Sequence, residues 1–207
     1  MTKRYDQYCP MAHALDLVGD RWSLLVVREL MRGPRRYTDL VDGLPGIGTN
    51  VLAARLRDLE SHGIVNRTTL PPPAASRVYE LTEYGRDLRS AMRELARWGA
   101  RSLGPPSAAP QLFVGWLGNA MDVALAPQAP PGRFEFRVGS EVASLVDGEV
   151  RDGPIESPDV VVEADPDAIY DMFIERRIDR VEVAGDRALL VRLIESAPPR
   201  VEVPVPG

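Results

Sequence analysis

Apolar residues recur at helical spacing from the N-terminal end of the chain. Met11, Leu15, Val18 and Trp22 fall on one stripe, with Pro10 suited to a first turn and Gly19 to a stop. Trp22 to Met31 (WSLLVVRELM) is apolar nearly all round, which predicts a buried helix, and Gly33-Pro34 ends it. Thr38 can cap a short helix through Leu44, and Gly46-Ile47-Gly48 makes a turn. Thr49 can then cap a longer helix over 50–62 that closes on Gly63. Two strand-like runs follow, Ile64–Leu70 and Arg77–Leu81, joined by a Pro-rich stretch over 71–76. A last helix begins after Thr82 and runs through Trp98, with Tyr84, Leu88, Ala91, Leu95 and Trp98 on one stripe.

The second half changes period. A helix over 111–125 clusters Leu112, Phe113, Trp116, Leu117, Ala120 and Met121. Phe134, Phe136 and Val138 then alternate with Arg133, Glu135 and Arg137, a half-buried strand. Asp147-Gly148 between two short strand-like runs is a strong hairpin signal. Another strand covers Asp159 to Glu163, and Asp165 caps a helix with Pro166 at its first position, through Met172 and Phe173. Val181 and Val183 suggest a last strand, and Gly185-Asp186 starts a helix carrying Leu189, Leu190, Leu193 and Ile194.

Prolines mark the joints between these segments. Pro105-Pro106 with Pro110 forms a linker over 105–110, separating a first domain, 1–104, from a second, 111–200. Pro127, Pro130 and Pro131 separate the helix over 111–125 from the first strand of the second half. The cluster from Pro198 to Pro206 makes an extended tail, 201–207 being its end. Charge changes sign at the same linker. The 207 residues carry a net charge of -5, but residues 1–104 hold 16 basic and 12 acidic side chains, and residues 105–207 hold 9 and 18. The first half is thus +4 and the second -9, and the basic half is the candidate for a polyanionic partner.

Helix, helix, short helix, turn, helix, hairpin, helix is the order of a winged helix-turn-helix. In the helix beginning at Asn50, Leu52, Leu56 and Leu59 form one face, which must be the core side. The opposite face carries Asn50, Ala53, Ala54, Arg57 and Ser61, with Thr49 at its start as a further candidate for DNA contact. Small residues beside Asn and Arg let a helix lie close in a major groove, where Asn pairs bidentately with adenine and Arg with guanine. Arg35 and Arg36 stand just before the short helix, placed to meet phosphates, and Arg77 at the hairpin reaches towards the backbone or a narrow minor groove. Arg55 projects towards the core flank, where an ion pair with Glu60 or Asp58 is expected.

These stretches resemble the HxlR-type winged-helix regulators of bacteria. The matching motifs are Cys9-Pro10 followed by ALDLVGDRWSLLVVREL, then GPRRYTDL, LPGIGTNVLAARLRDLESHGIV and RVYELTEYGRDL, ending in ARWG. The resemblance covers residues 8–100 and implies a homodimer held by the first and last helices, Trp98 among them, which presents two recognition helices to a palindromic operator of double-stranded DNA. The proline-rich wing and the long C-terminal extension depart from the pattern. In that extension, VDGEV, PDVVVEADPDAIYDMF and VEVAGDRALLVRLI resemble the sterol carrier protein fold more loosely. This second resemblance implies an apolar tunnel for a hydrophobic small molecule, with Phe113, Trp116, Met121, Phe134, Phe136, Met172 and Phe173 as candidate lining; plain core packing is the preferred reading of each one alone.

The fold expected is therefore α+β, an N-terminal winged helix-turn-helix joined to a C-terminal sterol-carrier-protein-like α+β domain. The function expected is a dimeric repressor whose DNA affinity is modulated by an apolar effector. Two alternatives stay open: a second domain that only dimerises or binds protein, and a thiol sensor acting through Cys9. Some members of the family sense quinones, aldehydes or oxidants through a cysteine at this place, and a residue before Pro10 stands at a helix N-terminus, where the dipole favours negative charge. The reading preferred for Cys9 is a small residue packed in the dimer interface. An enzyme finds little support: the two histidines, His13 and His62, lie on predicted helices, and there is no metal-ligand spacing, phosphate loop or serine elbow, so neither cofactor nor metal is expected. One cysteine, no signal-peptide core at the start and no apolar run near the roughly 18 residues of a membrane span place the protein in the cytoplasm, with no membrane partner.

Overall fold

A computed structural model describes residues 4–73, 75–108, 112–125 and 128–197. Residues 109–110 of the expected linker, Pro127 and the tail from Pro198 lie outside the described residues. The chain forms two compact units, Met1–Met92 and Arg93–Gly207, and the division falls inside a helix.

The first unit opens with α1 (Pro10–Val18), whose first position is the expected proline and whose end is marked by the Gly19 N–H donating to the Leu15 carbonyl at 2.8 Å. α2 (Ser23–Leu30) buries Val26, Val27 and Leu30 but leaves Leu25 in solvent, so it is not covered all round. α3 (Tyr37–Gly43) starts two positions earlier than a Thr38 cap implied: Arg36 takes the cap position, and its backbone N–H donates to the Asp39 carboxylate at 2.9 Å. α4 (Thr49–Ser61) likewise starts on Thr49 itself, because the Gly48 carbonyl makes the first helical bond, accepting from the Leu52 N–H. Strands β1 (Val65–Thr69) and β2 (Arg77–Leu81) form the antiparallel hairpin, from Val65 opposite Leu81 to Thr69 opposite Arg77.

Thr82 then caps α5 (Glu83–Arg86), its hydroxyl accepting from the Gly85 N–H at 3.0 Å. The single helix expected after Thr82 is broken at Asp87, and α6 (Leu88–Ala100) continues from there. Leu40, Leu44, Leu52, Leu56, Leu59 and Ile64 are wholly buried together with the α2 valines, and each such side chain contributes about 1.5–3 kcal/mol of burial. This winged helix-turn-helix core fixes the outward direction of α4.

The second unit contains α7 (Trp116–Ala124), β3 (Arg133–Val138), β4 (Glu141–Val146), β5 (Glu149–Asp152), β6 (Val160–Glu163), α8 (Pro166–Tyr170), a π-helical turn (Asp171–Glu175), β7 (Glu182–Gly185) and α9 (Arg187–Ser196). The sheet order is β5-β4-β3-β6-β7, antiparallel except for the β3–β6 pair. Asp147 and Gly148 both take positive φ, 50° and 84°, as a two-residue hairpin with the right twist requires. Gly185 has φ +95°, and a Cβ there would lie 2.1 Å from the Asp159 carbonyl oxygen, so the β6–β7 crossing needs glycine. Asp165 and Asp186 cap α8 and α9 as expected, accepting from the Ala168 and Leu189 N–H groups. α7 is capped from a distance: Glu141 on β4 accepts from the Gly115 and Leu117 N–H groups.

One face of the sheet carries the core. Phe134, Phe136 and Leu145 meet Leu117 and Met121 of α7 and Leu190 and Leu193 of α9. The opposite face departs from simple alternation, because Glu135, expected outward, is only 1% exposed. Its carboxylate accepts from the Ile155 N–H at 2.9 Å and pairs with Arg137 at 2.6 Å. Burial pushes this carboxyl up, but the Ile155 hydrogen bond and the Arg137 guanidinium outweigh burial and hold it below the usual carboxylate range.

Candidate nucleic-acid interface

The outward face of α4 follows from its inward one. With Leu52, Leu56 and Leu59 fully buried, Thr49, Asn50 and Arg57 are exposed, and Ala53 and Ala54 are half-buried beside them. The two alanines keep this face low, so a base edge can approach between Asn50 and Arg57. Val51 is also exposed, an apolar side chain in the first turn that the sequence reading passed over.

Arg35 and Arg36 are set at the start of α3 by two separate devices. Arg35 pairs through its backbone with β2, its N–H donating to the Tyr79 carbonyl at 2.9 Å and its carbonyl accepting from the Tyr79 N–H at 2.8 Å. Arg36 is exposed at the α3 cap position. Arg77 is exposed as the first residue of β2, two positions from Tyr79. The same short bridge therefore binds the arginine pair and the wing into one frame.

A second link joins α3 to α4: the Tyr37 hydroxyl donates to the Thr49 carbonyl at 2.7 Å. Neither link was legible in the sequence. Arg55 pairs with Asp58 at 3.2 Å, as expected, and also with Asp20, which lies 35 positions away. Arg67 on β1 is a further exposed guanidinium of the wing, resting over the Tyr79 ring at 5.2 Å and 3.8 Å from Glu60. Strand alternation would have put it on the side of the buried Val65, two positions away, so its exposure was not legible in the sequence.

Cys9 is half-buried at the cap position of α1, where its carbonyl accepts from the His13 N–H at 2.9 Å. Around it the surface is apolar and open: Met11 is 68% exposed, and Tyr8 and Leu15 are exposed as well. On α6, Leu95 and Trp98 are 50% and 68% exposed.

The seven expected lining residues of the second unit stand differently. Met121, Phe134, Phe136, Met172 and Phe173 are packed core, with the Phe136 and Phe173 rings edge to face at 5.8 Å, and Trp116 packs partly buried against them. Phe113 is half-buried. Strand alternation and helical spacing bring apolar side chains to a common layer, and here that layer is filled by the side chains themselves. A groove of about 660 Å³ opens elsewhere in this unit, lined by residues from Ile174 to Ala197. Among the described residues, no group of three or more His, Cys, Asp and Glu is placed to hold a metal ion, and no helix is long and apolar enough to cross a membrane.

Comparison with known proteins identifies relatives of this chain. The family model of HxlR-like helix-turn-helix proteins matches residues 17–106. An uncharacterized HTH-type transcriptional regulator of Synechocystis, sll1512, is 41% identical over 109 residues, which cover 52% of this chain and 79% of the relative. The HTH-type transcriptional regulator YodB of Bacillus subtilis is 38% identical over 91 residues, covering 44% and 81%. The solved structure of quinone-bound YodB covers 44% of this chain and 97% of that one at 36% identity, with a TM-score of 0.39. The family model falls on the half that holds the winged helix, and the chain belongs to the HxlR-like family of helix-turn-helix transcriptional regulators.

Proposed function

We propose that this regulator is a homodimeric repressor that reads a palindromic operator with α4. The observation that carries the reading is the composition of the outward α4 face: Thr49, Asn50, Ala53, Ala54 and Arg57, polar or small throughout, over a wholly apolar inner face. Asn50 and Arg57 read base edges, while Arg35, Arg36 and Arg77 hold phosphates on either side. The apolar surfaces of α1 and α6 close the dimer, with Trp98 at its centre. The acidic second unit binds an apolar effector, and its mixed sheet with helices laid on one face is compatible with a sterol-carrier-like domain. Effector and DNA are then coupled through their differential affinities for two arrangements of the dimer, typically by about 1–3 kcal/mol.

The test is a salt-dependent affinity measurement on the full chain, using DNA from upstream of its own gene. Binding should weaken steeply with salt, with a footprint of two half-sites about one helical turn apart. A salt-insensitive or non-specific interaction would overturn the reading.

A second reading makes Cys9 the sensing group. It is favoured by one observation, the half-buried position of this thiol at the start of α1 within an exposed apolar surface. With a single cysteine in the chain, oxidation would have to join two subunits or capture a small thiol. Under the preferred reading, Cys9→Ser retains both repression and its release; loss of an oxidant response in that variant would promote the thiol sensor.

A further inference from the structure

The first turn of α4 sets Thr49, Asn50 and Val51 in solvent, and of these Val51 is apolar, at 42% exposure. A single exposed valine is ordinary on a protein surface, so its surroundings decide what it can do. At about 100° per residue, Thr49 and Val51 flank Asn50 equally, so the valine stands as near the middle of the outward face as the threonine. Two neighbours that could cover it leave it open. Gly48, at the cap position with φ -73° and ψ 141°, holds a conformation that any residue adopts, and it brings no side chain; a Cβ there would already touch Val51 Cγ2 at 3.8 Å. Arg55, one turn further along on the same side, has its guanidinium held by Asp20 and by Asp58, the latter at 3.2 Å.

We propose that Val51 reads a thymine by its C5 methyl, at the base pair next to the adenine that Asn50 takes. The proposal rests on α4 being the reading helix and adds a specificity-determining residue to it. Among the groups that base pairs turn to the major groove, that methyl is the apolar one, and Asn50 and Arg57 select by hydrogen bonds instead. A valine in a helix strongly prefers one χ1 rotamer, so its methyls present a fixed apolar surface and lose little freedom on contact. The turn that carries it is fastened as well, by the Tyr37 hydroxyl donating to the Thr49 carbonyl at 2.7 Å. Residues at the start of a recognition helix are those that reach base edges. Neighbouring Cα atoms lie about 3.8 Å apart and successive bases about 3.4 Å apart, so adjacent residues can meet adjacent base pairs.

Fluorescence anisotropy with synthetic duplexes of the sequence footprinted upstream of the chain's own gene tests this. Each duplex carries uracil for thymine at one position of both half-sites, which removes a methyl and leaves every hydrogen-bonding group in place. At one such position uracil should weaken binding of the full chain roughly fourfold per half-site, the effect of one buried methyl, and at the others by less than about twofold. Val51→Ala should bind the thymine duplex more weakly and be indifferent to that uracil, while keeping the base preference that depends on Arg57. The proposal is overturned if no uracil position costs affinity, or if the sensitive position costs Val51→Ala as much as the unaltered chain. Operator binding that ignores Arg57→Ala would sink the reading of α4 itself. Binding that needs Arg57 but shows no link between Val51 and a methyl would sink this inference alone.

Discussion

Two helices of this chain, α4 and α6, each have 13 residues, and their outward faces are opposites. α4 buries three leucines completely and turns Thr49, Asn50 and Arg57 to solvent. α6 has no fully buried residue, although Leu88 and Met92 pack against the winged-helix core, and it turns Leu95 and Trp98 to solvent. The inner face of α4 is complete within one chain, since Leu52, Leu56 and Leu59 are all packed, and Val51 is the apolar side chain it leaves in solvent. The α6 pattern is incomplete, because exposed apolar stripes of this kind mark surfaces that another protein covers. Under the proposed function, one face meets a polar ligand and the other a second subunit.

The sharpest way to break this contrast is Leu56→Ala. Truncating a fully buried leucine should lower unfolding free energy by about 2–5 kcal/mol, read by denaturant titration. A loss well under 1 kcal/mol would mean that the inner face of α4 is not core. Next comes Trp98→Ala, which should leave helical content intact and weaken the dimer by about 2 kcal/mol or more, roughly thirtyfold in dissociation constant by sedimentation equilibrium. Unchanged self-association would assign the α6 stripe to another partner.

Arg57→Ala should cost about 1–3 kcal/mol in operator affinity and relax the preference at one base position, leaving both stability and dimerisation unaffected. If affinity and preference both stay as they were, the reading face of α4 is elsewhere. Acid sharpens the comparison from outside the two helices. Glu135 is held below the usual carboxylate range in the folded chain, so its contribution is fully present above the unfolded value near about pH 4.3 and is lost as pH falls through the lower folded value. Glu135→Gln should therefore flatten the acid limb of the stability curve, and an unchanged limb would remove Glu135 as its cause. The smallest effect belongs to Cys9→Ser, which should alter stability by no more than about 0.5 kcal/mol and leave operator affinity unchanged.

What could be read in the sequence was what local physics dictates. Pro10 and Gly19 bound α1, Asp165 and Asp186 cap their helices, and Asp147-Gly148 makes its turn, since each depends on a few neighbouring residues. The start of α4 slipped by one position because Gly48 takes the cap position without any side-chain bond, which leaves Thr49 as the first helical residue. Longer links were illegible. Asp20 with Arg55, Glu135 with Ile155 and Glu141 with the start of α7 join residues 35, 20 and about 25 positions apart, and no spacing rule connects them. Core and cavity could not be told apart either, since Phe134, Phe136 and Met172 would look the same in a packed layer or a tunnel wall.

The hydroxyl of Tyr37 on the carbonyl of Thr49 bears on the rate of recognition. A reading helix whose first residue is already fastened to its neighbour has few conformations left to lose on meeting a duplex. Association should then resemble the docking of two rigid bodies, limited by encounter and orientation rather than by a slow rearrangement. Tyr37→Phe keeps the ring and loses the tether, so it would slow arrival at the operator more than it hastens departure.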